Sequence, residues 1–225
     1  MDVNPNQDLR FKEILKTVLP GANLWVYVYL VKVISGQRTL DWCNAAYSSV
    51  SNLKGGMLFS IALVVVFMSG YIINLLSSYA ERTLYKCERF KRPSKVILNY
   101  SETYSVHEID IIRNEFKGSL FQDVVCNDQA KKILNIIKGR IQRKDNLVED
   151  FYHRSIMGRN FCGSQIIATI LSCLLVNGIK CSCLFWAISI LLAVAYGLEW
   201  RRMNCIYVKN IFLEYIRELH EKTKT

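Results

Sequence analysis

The sequence predicts an all-α membrane protein: two transmembrane helical hairpins, four spans in all, with a small helical cytoplasmic module between them. Three observations predict it. Met57–Ser77 (MLFSIALVVVFMSGYIINLLS) carries no charge, and a helix of that length is about 30 Å long, enough to cross the hydrocarbon core of a bilayer. A dense basic cluster follows it: Arg82, Lys86, Arg89, Lys91, Arg92 and Lys95. The positive-inside rule puts that flank in the cytoplasm. The composition, 51% hydrophobic with a net charge of +10, fits apolar spans alternating with charged segments. The basic residues crowd beside the spans, so their expected partner is an anionic inner leaflet rather than nucleic acid.

Residues 1–78 form the first expected region. Met1–Gln7 is polar and reads as a frayed tail. Asp8–Val18 sets Leu9, Phe11, Ile14, Leu15 and Val18 among Arg10, Lys12 and Lys16, an amphipathic helix suited to the inner membrane surface. Leu19-Pro20-Gly21 marks a break, with Pro20 in the first turn of the next helix, where its missing N–H costs nothing. The first span then covers about 22–34, and Lys32 snorkels at its far end. Trp25, Tyr27 and Tyr29 leave open a tilted or partly re-entrant helix. Ser35–Gly56 is a polar outer connection. The second span, 57–77, continues as helix to about Phe90, and Pro93 stops it.

Residues 79–159 form the module. Val96–Tyr100 reads as a short extended piece. Ser105-Val-His-Glu108 is a capping box. It opens a helix with Ile109, Ile112 and Phe116 at helical spacing, which Gly118 ends. Asn127 or Asp128 caps a further helix with Ile133, Ile136, Ile137 and Ile141 on one face. The module is too small for a large core of its own, so it should pack on the helix ends or on a second subunit. Residues 160–225 form the last region. A long helix from Asn146 runs into a third span at 161–176, and Asn177-Gly178 turns the chain. A fourth span covers 183–198, and a cytoplasmic helix carries Ile211, Tyr215 and Leu219 on one face. Both termini lie inside. The last two spans are short and need local thinning or close packing.

The best candidate site is a polar stripe. Gly70, Asn74, Ser77 and Glu81 share one face of the second helix. Gln165, Thr169 and Ser172 do the same on the third span, and Ser189, Ala193 and Gly197 on the fourth. Polar groups facing lipid would be unsatisfied, so these faces should turn inward. They serve either helix packing or a water-lined path through an oligomer.

Other chemistry has little footing. Asp150 and His153 lie one turn apart, as in half of a di-metal site, but no second pair exists. The eight cysteines show no CxxC pair and read as free thiols. There is no glycine-rich phosphate loop and no serine elbow. No catalytic residue, cofactor or metal is expected, and no removable signal peptide is seen at the N-terminus.

The layout resembles small bacterial four-span membrane proteins of unassigned function. The stretches that carry this are Leu19-Pro20-Gly21, Gly70 with Glu81, Arg92-Pro93-Ser94, and Phe151-Tyr152-His153-Arg154. By architecture the chain is also similar to membrane effectors of bacterial antiviral defence. That resemblance implies a homo-oligomer of the bacterial inner membrane whose module senses a soluble protein or nucleotide ligand and alters the spans. A membrane anchor for a soluble partner, or a small transporter, are the alternatives.

Overall fold

The structure is a computed structural model describing residues 5–35, 55–87, 89–99, 109–121, 124–141, 146–175 and 183–222. Among the described residues seven helices follow in order: α1 (Pro5–Ser35), α2 (Gly55–Leu84), α3 (Pro93–Asn99), α4 (Ile109–Phe116), α5 (Asn127–Arg140), α6 (Asn146–Leu175) and α7 (Cys183–Lys222). An isolated bridge joins Lys117 to Phe121. The expected capping box at Ser105–Glu108 and the turn at Asn177-Gly178 lie outside the described residues. The chain divides into two units: 1–78 with 156–200, and 79–155 with 201–225.

α1, α2 and α7 are long and apolar enough to cross a membrane, over Lys12–Val33, Phe59–Leu84 and Cys183–Glu221. α6 carries Asn160, Ser164, Gln165 and Ser172, and all four are buried, while its Ile166, Ile170 and Leu174 are exposed. α1 and α6 run parallel, because Lys16 meets Asn160 and Pro20 meets Ser164 at the same sequence offset of 144. α2 runs against α1, with Gly21 on Val66 and Gly70 on Thr17. α7 runs against α6, with Trp200 on Gly158 and Gly197 beside Cys162.

The expected break at Leu19-Pro20-Gly21 does not occur. α1 is one helix with Pro20 inside it. An interior proline leaves the carbonyl four residues back without its helical partner. That carbonyl belongs to Lys16, and Asn160 Nδ2 donates to it at 3.1 Å. Neighbouring side chains commonly re-satisfy a proline-freed backbone group inside a membrane.

The second unit has an aliphatic and aromatic core. Ile97, Leu98, Ile109, Ile112, Phe116, Val125, Ile133 and Ile137 pack with Tyr207, Val208, Ile211, Phe212, Tyr215 and Ile216. The module thus builds a core of its own, because the end of α7 joins it. On α5 the buried face is Ala130, Ile133 and Ile137, and Ile136 points outward. The N-cap is Cys126 rather than Asn127 or Asp128. Gln129 Oε1 reaches back to accept the Cys126 N–H at 2.8 Å, as the fourth residue of a capping box does.

α2 stops at Leu84 instead of running to Phe90. Bonds from three residues on, Lys86 to Thr83 and Cys87 to Leu84 at 3.1 Å each, tighten its end. Asn127 completes the stop: its Nδ2 donates to the carbonyls of Tyr85 and Phe90, both at 3.1 Å. Val96–Asn99 is helical, not extended, because Pro93 opens α3 with its φ already set for a helix. Gly118 ends the α4 turn with φ +86, as the sequence predicts.

Candidate functional site

The first unit carries a polar seam centred on α6. Asn160, Ser164 and Ala168 recur every four residues, so they share the face that α1 covers. Asn160 Nδ2 donates to the Lys16 carbonyl and lies 3.2 Å from Asn74 Oδ1. Arg159 Nη2 donates to the same Asn74 oxygen at 2.8 Å. One turn further, Ser164 Oγ donates to the Pro20 carbonyl at 2.7 Å and accepts from Asn23 at 3.2 Å. Beyond them Leu24, Val28, Ile73 and Ala168 close an apolar plug, and Tyr27 shares a short hydrogen bond with Ser189.

Of the residues the sequence singled out, Gly70, Asn74, Ser77, Gln165 and Thr169 all belong to this unit. Gly70 is where α1 and α2 touch: a Cβ there would be driven into the Thr17 carbonyl oxygen. Gly21 makes the reciprocal contact, where a Cβ would strike the Val66 carbonyl oxygen. Ser77 lies on Gly163 and leaves no room for a side chain there. Thr169 donates back to the Gln165 carbonyl at 2.8 Å, the pattern Ser60, Ser69 and Ser189 also follow. Such back-bonding satisfies a hydroxyl within its own helix. Gln165, Ser77 and Ser172 are buried, and Gln165 Nε2 and both serine hydroxyls have no hydrogen-bond partner among the described residues. Glu81 falls on the same helix face as Asn74 but belongs to the second unit.

Arg159, Asn160 and Ser164 carry the seam and were not singled out by the sequence, which read Gly21 only as part of a break before the first span. The signal was present. A proline inside an apolar helix needs a donor from elsewhere for its freed carbonyl, and Asn160 stands on a long helix whose apolar stretch is broken by amides.

In the second unit the basic cluster divides. Arg82, Lys86, Arg89 and Lys91 are exposed; Arg92 and Lys95 are half-buried. The Arg92 guanidinium lies over the Tyr85 ring, 4.6 Å from its centroid. Burial first, then Glu81, push the Tyr85 hydroxyl up to about 12, against the opposing pull of Arg92 and Arg201. On the other side, Arg140 donates to Tyr215 Oη at 2.7 Å and pairs with Glu115. Those bonds raise the Arg140 pKa further. Lys138 sits over the rings of Tyr207 and Tyr152, at 4.8 and 5.9 Å. The His153 ring lies tilted beside Tyr152, 5.7 Å between centroids, and Glu149 and Asp150 are half-buried.

These features define a helical protein with three helices apolar enough to cross a membrane, a polar seam in its first unit, and a second compact unit. The chain matches no family model, no curated protein and no solved structure.

Proposed function

We propose that this chain is a four-span, non-enzymatic homo-oligomer of a bacterial inner membrane, with both termini cytoplasmic. Its second unit receives a soluble protein or nucleotide signal and alters the packing of the spans, so that the membrane is disrupted as in antiviral defence. One observation carries the reading: α2, α6 and α7 each pass unbroken from one unit into the other. A continuous helix transmits displacement, whereas a glycine-rich linker absorbs it. The seam gives that displacement something to act on, since buried Gln165, Ser77 and Ser172 hold unused hydrogen-bonding capacity. Coupling of this kind requires an element with two arrangements; Asn74 and Gln165 are the residues that repack.

The test is a flexible Gly-Ser insertion after Ser78 and, separately, after Arg154, at equal expression. Triggered depolarisation should disappear in both while membrane insertion and oligomer formation survive. A response that survives both insertions ends the rigid-coupling reading. Orientation is checked with an impermeant thiol reagent on intact cells: Cys183 should react from outside and Cys87, exposed on the second unit, only after permeabilisation. The competing reading, an anchor for a soluble partner, draws on the second unit's own core. It takes precedence if the wild type recruits a partner and never depolarises cells.

A further inference from the structure

We propose that Lys138 is a latch: its ammonium, set against the rings of Tyr152 and Tyr207, holds α6 to α7 in the second unit, and its release frees α6 to shift. The inference rests on the proposed function and deepens it, naming the contact through which the second unit governs the spans. Lys138 stands on α5, Tyr152 on α6 and Tyr207 on α7. The ammonium lies 4.8 Å from the centroid of Tyr207 and 5.9 Å from that of Tyr152, and the two rings are 5.2 Å apart. Within about 6 Å a ring's negative face attracts a cation. One charge therefore joins three helices.

The helices differ in what else anchors them. α7 gives the core of the second unit Tyr207, Val208, Ile211, Phe212, Tyr215 and Ile216. Arg140 adds a further tie from α5 to α7, donating to Tyr215 Oη. α6 gives that core Val148, with Phe151 partly buried against it. α7 is therefore well held without Lys138, and α6 depends on it more. α6 is also the helix that goes on to carry Asn160 and Ser164, whose bonds to the Lys16 and Pro20 carbonyls build the seam. The two rings are unequally covered: Tyr207 is buried, whereas Tyr152 is 41% exposed. The contact can thus part on its Tyr152 side while the core beneath Tyr207 stays closed. The lysine stem can lie along a ring without its charge, but the attraction to both rings needs the ammonium.

The test reads amide exchange and membrane potential in the full chain. K138M keeps an apolar stem and removes the charge; Y152L removes the ring. Each should speed amide exchange in 149–155 about fivefold, the factor expected for one cation–ring contact, and leave 207–216 unchanged. Both should depolarise cells with no trigger supplied. K138R and Y152F keep the cation and the ring and should match wild type. K132M, at an exposed lysine of the same helix, should match it too. Because Y152L alters an exposed side chain, it keeps the test valid if K138M fails to fold. Unchanged exchange in 149–155 for both variants, or an equal rise in K132M, overturns the latch and leaves the proposed function standing. Faster exchange in 149–155 without depolarisation overturns the coupling of the second unit to the spans, and the proposed function with it.

Discussion

In the second unit the buried side chains are Ile97, Ile112, Ile133, Phe212 and their kind, and the exposed ones include Lys131, Lys132 and Arg140. In the first unit the buried set includes Asn160, Ser164, Gln165, Ser172 and Ser189, while Phe59, Val64, Met68, Ile72, Ile190 and Leu191 face outward. The same chain places polarity on opposite sides in its two halves. Water and lipid explain it. Against water, burying apolar surface stabilises at about 25 cal/mol per Å². Against lipid that drive is absent, so helices associate through close packing and hydrogen bonds. The first unit accordingly uses glycine contacts at Gly21, Gly70 and Gly163, where the second uses branched aliphatics.

The largest effect that would sharpen this contrast is in the second unit. Phe212 is fully buried among the core residues, so Phe212→Ala should cost about 3–5 kcal/mol. Amide exchange should rise in 201–222 and in α5. Little change there would mean the core does not hold this unit together.

Next comes a pair of glycines. Gly70→Leu forces a side chain into the α1 backbone and should cost about 3 kcal/mol, read as early heat-induced loss of the folded protein in detergent. Gly139, inside α5, has nothing within 4 Å of an added Cβ. Gly139→Ala should therefore be neutral or stabilise by up to about 1 kcal/mol. If the two substitutions behaved alike, the difference in packing between the units would be wrong.

The third prediction breaks the seam at one bond. Asn160→Ala leaves the Lys16 carbonyl unsatisfied and should cost about 1–3 kcal/mol. Pro20→Ala supplies the missing helical N–H to that carbonyl. In a Pro20→Ala background the Asn160→Ala cost should shrink, giving a coupling of about 1 kcal/mol or more in a double-mutant cycle. Additive losses would show that Asn160 acts elsewhere.

Much of this was legible in the sequence, and the misses have common causes. Met57–Ser77 lies within α2, Asn146 opens α6 and Gly118 ends the α4 turn, because apolar length and glycine are local signals. The stripe Gly70, Asn74, Ser77 was also local, read from helical spacing. Pro20 and Phe90 were misplaced for a shared reason: each depends on a distant amide. Asn160 carries α1 through its proline, and Asn127 captures the carbonyls beyond Leu84. Neither partner is near in sequence. The role of Arg201–Lys222 in the module core was hidden too, since an amphipathic tail does not say which surface it joins.

The smallest predicted effect separates the units by titration. Groups that face water can exchange protons with it, so a pH-linked stability term belongs to the second unit. Tyr85 is suited to show it, its hydroxyl raised from 10.0 to about 12, first by burial and next by Glu81. A raised pKa means that the folded state favours the neutral phenol. The stabilising contribution is complete below the unfolded value near 10 and is lost as pH rises from there to about 12. By pH 11 the loss should be on the order of 1 kcal/mol. Tyr85→Phe keeps the ring beneath Arg92 and removes the proton. Unfolding of wild type and variant is followed at pH 8 and pH 11 through amide exchange of α5. The wild type should lose more stability between the two pH values than the variant by that amount. The difference cancels the lysines and other tyrosines that also titrate in this range. Equal losses would mean that Tyr85 is solvated in the folded protein and that Arg92 does not cover it.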